Sequence, residues 1–527
     1  MLAGLCLLAP ASRANNVTVT NVSLVSVNTN AGTLQIKFDL AWENSWRVSA
    51  PPGNWDAAWV FAKYQAADGI WRQCGLNVNN TDHTVPAGAT LNVGLTGTKG
   101  VGAFIYRSAT GAGSVSWPNC RLLWNYGADG VRNSDMVSVD VSAIEMVYVP
   151  TGAFYAGDGA SSNRFHLGSN PSAPFYVGGG GSITLSDAVG AGYLWALGLT
   201  TSLRGSTVTA PSGYTAFYCM KYECSQGQLV AFLNKTLRSF AAPWRSTRMS
   251  ISGTPPLATT TTPDRAVLST DEQTLAYLDW AALRPMTDLE YEKACRGPLP
   301  AFGSELAWGT ALRALLTYAL ASDGTSSERV TANYDTHFGN TWDTATIYGS
   351  SPTTLPNISG TTFPTAYGPC RVGMFSLQSY SGTATARVQS GATYWGILDM
   401  SGNVGEPVCP VVGTNQVTAY TGNHGDGNLG ANKLADTIGW PTSSLVMRGG
   451  GIDVTFSYWL RPYLSNYQWD PFYSALDTAR PISDRSIALR AYAELQRTTV
   501  QNLGIPPPTP ALSAINAFGI RGVRTAP

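Results

Sequence analysis

The chain has 527 residues, with 33 basic and 33 acidic side chains and a formal net charge of zero. Because a single hydrophobic core seldom grows past ~250 to 300 residues, this length predicts two domains, or one domain with large insertions. Only 13% of the residues are charged, so no overall electric field draws in nucleic acid, and we expect no nucleic-acid partner. The 55 Gly and 31 Pro are typical of a loop-rich extracellular protein.

The first 14 residues, MLAGLCLLAPASRA, combine a short apolar run with small residues at Ser12 and Ala14. This pattern is typical of the end of a secretory signal peptide, here truncated at its start. We therefore expect a signal peptide over 1–14 and a protein that is secreted or attached to the cell surface. No later stretch approaches the ~20 consecutive apolar residues of a membrane-spanning helix, so we expect no transmembrane segment.

Residues 15–145 show short runs in which apolar side chains recur at every second position, the pattern of half-buried β-strands. The spacing of these runs and their turn residues predict an all-β sandwich of Ig-like size. The runs are VTVTNVSLVSV, TLQIKFDLAW, DAAWVFAKYQ, GAFIYRS and MVSVDVSAI.

The same region is rich in tryptophan, which can either form a sugar-stacking surface or fill the core. We favour the core, which is the commoner use of such residues. The tryptophans concerned are Trp42, Trp46, Trp55, Trp59, Trp71, Trp117 and Trp124.

From Met146 onward the pattern changes to a few helical segments separated by polar stretches. Helices are predicted at 225–237, with Ser225 as N-cap, at 271–283, and at 287–297, where Thr287 and Glu290 can form a capping box. The Gly-, Ser-, Thr- and Pro-rich stretches are too polar for a core, and we interpret them as surface loops. They cover residues 157–213, 249–265, 338–365 and 410–444.

Seven cysteines follow the signal peptide, and an odd number cannot all pair within one chain. Two interpretations stay open: a bridge between Cys74 and Cys120, as in other exported proteins, or burial of each as a small apolar residue. The seven are Cys74, Cys120, Cys219, Cys224, Cys295, Cys370 and Cys409.

Seven motifs in the second region resemble, in the same order, those of the formylglycine-generating enzyme (sulfatase-modifying factor) family. The resemblance implies an α+β fold for 146–527: a C-type-lectin-like domain with little regular secondary structure and long loop insertions. The motifs are MVYVPTGAFYAGDG (146–159), FYCMKYECSQGQLVAFLN (217–234), LRPMTDLEYEKACRG (283–297), AWGT (307–310), DMSGNVGE (399–406), VMRGGGI (446–452) and FGIRGVR (518–524).

The resemblance also implies where catalysis would be located. Active members hold copper(I) between two cysteines that lie six and eleven residues beyond the Arg of the Arg-Gly-Gly turn. Counting from Arg448 gives Val454 and Trp459, which cannot ligate copper, so we expect no copper and no catalytic residues. Cys219 and Cys224 have the same spacing, and they carry the alternative that the protein is an oxidase.

A calcium loop is the second feature that the resemblance implies. In the family, a side chain, two backbone carbonyls and a carboxylate bind the ion, and these positions correspond to Asp399, Gly402, Val404 and Glu406. The resemblance therefore predicts a structural Ca²⁺ there. The alternative is that backbone N–H groups or an arginine satisfy the two acidic side chains.

Other chemistries find little support in the sequence. The four histidines form no metal-binding pattern, and no serine-hydrolase elbow is present. Glu290, Glu292 and Arg296 are interpreted as structural ion pairs. The segment GNHGDGNLG at 422–430 either turns the chain or binds a cation, and we favour the turn.

An aromatic run at 456–473 contains candidate anchors for a ligand, although such residues also fill cores. The leading hypothesis is an exported, non-catalytic surface protein with a lectin-like domain. It binds an extracellular glycan or protein, or it assembles with itself into a surface layer, filament or adhesin. The alternative is a formylglycine-generating-type oxidase acting on cysteine in a target protein. The candidate anchors are Tyr458, Trp459, Tyr463, Tyr467 and Trp469.

Overall fold

The computed structural model describes residues 17–159, 164–189, 192–239, 248–311, 319–332, 369–377, 386–412, 420–441, 445–450, 487–488 and 518–527. These ranges form a β-rich structure with a few short helices, and its paired strands run antiparallel. None of the helices in these ranges combines the length and apolar character needed to cross a membrane.

The first nine strands cover the amino-terminal region and its junction with the second region. They are β1 (Thr18–Asn28), β2 (Thr33–Arg47), β3 (Asp56–Gln65), β4 (Trp71–Gln73), β5 (Ala89–Thr96), β6 (Lys99–Arg107), β7 (Gly111–Trp124), β8 (Ser138–Val149) and β9 (Phe154–Ala156).

The remaining strands are shorter. They are β10 (Phe165–Leu167), β11 (Phe175–Val177), β12 (Leu194–Ala196), β13 (Phe217–Met220), β14 (Arg284–Pro285), β15 (Ala319–Ala321), β16 (Arg329–Ala332), β17 (Glu406–Val408), β18 (Val446–Arg448), β19 (Ile487–Ala488) and β20 (Gly522–Thr525). The helices are α1 (Gln226–Thr236), α2 (Asp271–Trp280), α3 (Asp288–Arg296) and α4 (Ala386–Ser390).

An eight-stranded sheet forms the centre of the molecule, with strand order β14-β20-β13-β8-β3-β6-β5 and β4 paired to β3. Its strand β3 is buried on both faces, because apolar side chains occupy both sets of alternating positions in DAAWVFAKYQ. Trp59 and Phe61 face a core shared with α1 and α2. Val60 and Ala62 face a second core, shared with the sheet β1-β2-β7. At β3 the central sheet therefore lies between two layers, the helices α1 and α2 on one face and the sheet β1-β2-β7 on the other.

The tryptophans of the first region divide between core and surface. Trp42, Trp59, Trp117 and Trp124 are buried, as the sequence predicts. The other three, Trp46, Trp55 and Trp71, are only partly buried. Packing therefore explains most of the tryptophans, since Trp46 and Trp55 also pack against a core.

Strand β8 continues across the predicted domain boundary between residues 145 and 146. On one edge it pairs with β3, from Ser138↔Gln65 to Val147↔Asp56. On the other edge it pairs with β13, including Val149↔Phe217. The two predicted regions therefore share one sheet.

The helices begin where their capping residues predict. The Ser225 hydroxyl accepts from Gln228 N, and the Thr287 hydroxyl accepts from Glu290 N, and both sites form complete capping boxes. Helix α1 ends at Leu237, which has φ +52 in the left-handed region. This conformation costs a non-glycine residue roughly 1–2 kcal/mol.

Strand β20 completes the central sheet between β13 and β14. The Arg524 guanidinium lies 4.7 Å from the centre of the Trp59 ring and donates to Ala282 O and, at 2.6 Å, to Leu95 O. One side chain thus links β20 to β5 and to the end of α2.

All seven cysteines in the described residues are buried free thiols. Cys74 and Cys120 form no bridge, and both lie in the core between the two sheets. The interpretation of these residues as small apolar core residues is therefore confirmed.

Candidate ligand-binding site

The predicted calcium loop is a buried turn between α4 and β17. Asp399 is buried, with φ +61, and its Oδ2 accepts from Gly373 N at 2.5 Å. Glu406 Oε1 accepts from Arg521 Nε at 2.9 Å. The two residues expected to bind calcium through their carbonyls use their N–H groups within the protein: Gly402 N donates to Gly449 O, and Val404 N donates to a carboxylate.

That carboxylate belongs to Glu223, which the sequence did not single out. Its Oε1 accepts from Val404 N at 3.1 Å and its Oε2 from Asn403 Nδ2 at 2.5 Å. Burial and the nearby charges of Asp399 and Glu406 raise the pKa of Glu223. Glu223 lies within the motif at 217–234, but nothing in its spacing indicates a role.

Three buried acids, Asp399, Glu406 and Glu223, surround this loop, and Arg521 pairs with Glu406. Burial raises the pKa of Glu406 to about 7, and no described residue donates a hydrogen bond to its Oε2. Hard oxygen donors of this kind suit calcium. However, the described residues contain no group of three or more acidic, His or Cys side chains placed to hold a metal ion. Calcium at Asp399, Gly402, Val404 and Glu406 stays a prediction.

The acidic and basic residues of α3 form buried ion pairs. Arg284 Nη2 lies 2.6 Å from Glu290 Oε1. Glu292 binds two arginines, with Arg296 Nη1 at 3.1 Å and Arg448 Nη2 at 2.5 Å. The structural interpretation of Glu290, Glu292 and Arg296 is confirmed.

The aromatic anchors predicted at 456–473, namely Tyr458, Trp459, Tyr463, Tyr467 and Trp469, lie outside the described residues. Val454 lies outside them as well. Cys219 and Cys224 are described and are fully buried. Burial raises the pKa of Cys219 to about 12 and also raises that of Cys224. The thiolate form that a copper ligand requires is therefore disfavoured at both cysteines.

A cleft of about 660 Å³ opens beside Trp71, where the first region meets α1, the end of α2 and the loop that follows residue 420. We refer to it as the Trp71 cleft. Its walls are formed by Tyr64, Gly69, Ile70, Trp71, Arg72, Gln73, Lys99, Ala128, Asp129, Lys235, Thr236, Leu237, Trp280, Gly427, Asn428, Leu429, Gly430, Ala431 and Lys433.

The Gly-rich segment 422–430 forms one wall of the cleft and is held by Asp279 at the end of α2. Asp279 Oδ1 accepts from Asp426 N at 3.2 Å, and Oδ2 accepts from Asp436 N at 3.0 Å. Gly427 has φ +91, and a Cβ there would clash with the Gln73 side chain. Glycine is therefore required for this close approach.

Lys63 lies beneath the cleft and joins three elements. Its Nζ donates to Gln73 Oε1 at 2.8 Å, to Trp280 O at 2.6 Å, and to Gly427 O. Burial lowers the pKa of Lys63 to about 7. The side chain thus ties the first region to α2 and to the Gly-rich segment.

Three of the four cationic side chains at the cleft pair with carboxylates. Lys99 Nζ lies 2.7 Å from Asp129 Oδ1. Two further cations pair with carboxylates next to the cleft, Lys235 with Asp140 at 3.1 Å and Arg72 with Asp68 at 2.5 Å. The fourth cation, Lys433, donates to Leu237 O at 2.7 Å.

The cleft also exposes an unusual amount of apolar surface. Trp71 is partly buried, and Lys235 Nζ lies 5.6 Å from the centre of its ring. Ile70 is 54% exposed and Leu237 is 46% exposed. The site therefore combines apolar contacts with amide, ammonium and hydroxyl groups.

Sequence reasoning named Trp71 as a possible sugar-stacking residue and noted the segment 422–430, but it did not bring them together. Nothing in the sequence predicted a role at the cleft for Lys63 or Leu237, since Lys63 lies within an ordinary strand pattern and Leu237 ends an ordinary helix. No protein-family model matches the chain, and a search of curated proteins found no match. The family resemblance therefore rests on the seven motifs.

Proposed function

We propose that this protein is an exported, non-catalytic binding protein of the cell surface, in which an Ig-like β-sandwich is joined to a C-type-lectin-like region of the formylglycine-generating-enzyme type. The observation that supports it is the Trp71 cleft, located where the two regions meet. Its volume of about 660 Å³ falls within the ~300–1,000 Å³ of small-molecule sites, which are often found at such junctions.

The composition of the cleft favours binding over catalysis. Among its described lining residues there is no His, Ser or Cys, so the usual nucleophiles and the commonest general base are missing. The one carboxylate, Asp129, accepts from Trp124 Nε1 at 2.7 Å and from Gly75 N at 2.6 Å, besides pairing with Lys99. It is held in place as a structural acceptor.

A calcium ion at residues 399–406 is part of the proposal. The side chains of Asp399 and Glu406 and the carbonyls of Gly402 and Val404 would hold it, and the ion would offset the charge of the buried acids. The Oε2 atom of Glu406, to which none of the described residues donates a hydrogen bond, supports this assignment. Such an ion would fasten the loop and take no part in a reaction.

The test is to measure binding of the purified full chain to arrays of extracellular glycans and proteins, and to follow its mass by light scattering. Saturable binding by a particle of defined mass supports a receptor or adhesin role. Concentration-dependent growth into sheets or fibres supports the surface-layer form of the proposal. Stoichiometric copper, with conversion of a cysteine-containing peptide, would replace the proposal with the oxidase alternative.

A further inference from the structure

We infer that the Trp71 cleft binds an uncharged saccharide, with the apolar face of a sugar ring packed on Trp71. This inference rests on the proposed binding function and names the ligand class of that site. Three properties of the cleft carry it: the pairing of most of its cations with carboxylates, its mixture of apolar and polar surface, and the strained residue at its edge.

The charge balance argues for a neutral ligand. Three of the four cations at the cleft, Lys99, Lys235 and Arg72, each pair with a carboxylate within 3.1 Å, and the fourth, Lys433, donates to Leu237 O. An anionic ligand would have to displace these carboxylates or approach them closely, and both are unfavourable. A ligand that carries hydroxyl groups can accept and donate hydrogen bonds without breaking the pairs.

The surface chemistry argues for a sugar among neutral ligands. A pyranose ring has an apolar face of C–H groups and a rim of hydroxyl groups, and aromatic side chains with polar neighbours suit such a molecule. Trp71 and Ile70 provide the apolar surface. Asn428 provides a hydrogen-bond donor for a ligand hydroxyl: its Oδ1 accepts from Gln73 N at 2.9 Å, while no described residue accepts from its Nδ2.

The conformation of Leu237 indicates that its side chain has a function at the cleft. It ends α1 at φ +52, a position where glycine is the common choice, yet it is a leucine with 46% of its surface exposed. Strained residues of this kind concentrate at ligand sites, and Leu237 lines this one.

The experiment is isothermal titration of the full chain with neutral hexose and N-acetylhexosamine oligomers, and with sulfated and uronic-acid oligomers of equal length. We expect the neutral oligomers to bind with an affinity that changes little between low and high salt. Trp71→Ala should weaken binding about tenfold or more, which is about 1.4 kcal/mol per tenfold. Trp71→Phe should recover part of the loss.

Two further variants separate a binding role from a structural one. Leu237→Gly should weaken binding several-fold without lowering the midpoint of thermal unfolding, because glycine accepts positive φ more readily. Ile70→Ala should weaken binding, whereas the matched control Ile438→Ala should not. Ile438 is 87% exposed and does not line the cleft.

The outcomes distinguish failure of the inference from failure of the proposed function. Preference for anionic oligomers, or neutral binding that the Trp71 and Ile70 substitutions leave unchanged, overturns the inference while the protein remains a binding protein. Binding to proteins but to no glycan on the arrays would also overturn the inference and leave the proposed binding function in place. Absence of any ligand on glycan and protein arrays, together with absence of self-assembly, overturns the proposed function as well.

Discussion

Replacing Lys63 by methionine should destabilise the protein and loosen the wall of the Trp71 cleft. Methionine fills much of the same volume but donates no hydrogen bond, so Gln73 Oε1, Trp280 O and Gly427 O each lose the Lys63 donor. An unsatisfied buried acceptor costs about 1–3 kcal/mol. Removing a buried ammonium offsets part of this loss. We therefore expect the free energy of unfolding to fall by about 2–4 kcal/mol.

The assay is urea denaturation followed by tryptophan fluorescence, with Lys37→Met as the matched control. Lys37 lies on β2 and is only partly buried, and its replacement should change the free energy of unfolding by no more than about 0.5 kcal/mol. Hydrogen exchange of residues 425–437 should increase in the Lys63 variant. A loss below about 1 kcal/mol with unchanged exchange would refute the assigned role of Lys63.

The effect should also depend on pH. Burial lowers the pKa of Lys63 to about 7, against ~10.4 in an unfolded chain. Between these values the unfolded chain binds more protons, so the Lys63 contribution to the free energy of unfolding rises with pH, by at most about 1.4 kcal/mol per unit. Asp279 and Asp426 oppose the lowering of this pKa, and Lys235 adds to it. The difference between the wild type and the variant should therefore grow from pH 7 to pH 9, and a constant difference would contradict the assignment.

Three further predictions follow from the buried charges and thiols. Arg521→Met leaves Glu406 buried without its partner and should lower the free energy of unfolding by about 3–5 kcal/mol. The control Arg72→Met removes an exposed ion pair and should lower it by less than about 1 kcal/mol. Equal effects of the two substitutions in urea denaturation would contradict this contrast. Mass spectrometry of the purified chain should find one bound calcium ion, and EDTA should lower the melting temperature of the wild type but not that of Asp399→Asn. A metal-free chain whose melting temperature EDTA does not change would count against the site. Ellman's reagent should label none of the seven described cysteines in the native state and all seven after unfolding; two fewer would indicate a bridge between Cys74 and Cys120.

The local elements of the fold were predictable because their signals are local. Alternation at period two identified β2, β3 and β8, and the Ser225 and Thr287 caps located the starts of α1 and α3. The β-rich character of the amino-terminal region followed from the same patterns. Each of these features depends on neighbours within a few positions in the chain.

The shared sheet and the Trp71 cleft were not predictable, because both depend on contacts between distant segments. Nothing in the 138–149 pattern shows that its two edges pair with different regions. The cleft requires Trp71, Leu237 and Asn428 to meet, and each lies in a different part of the chain. Two of the three buried acids, Asp399 and Glu406, were predictable because they belong to a recognisable motif. Glu223 was not, because it approaches them only in the folded structure.

The link between Arg524 and Leu95 has a consequence for the order of events during synthesis. The two residues are 429 positions apart. At ribosomal rates of ~5–20 residues per second, the second is made roughly 20–90 s after the first. From the synthesis of β13 until that of β20, the edge of β13 that β20 will occupy is unpaired, and an unpaired strand edge favours association with other chains. The central sheet therefore reaches its full set of described strands only when the last residues of the chain have been made.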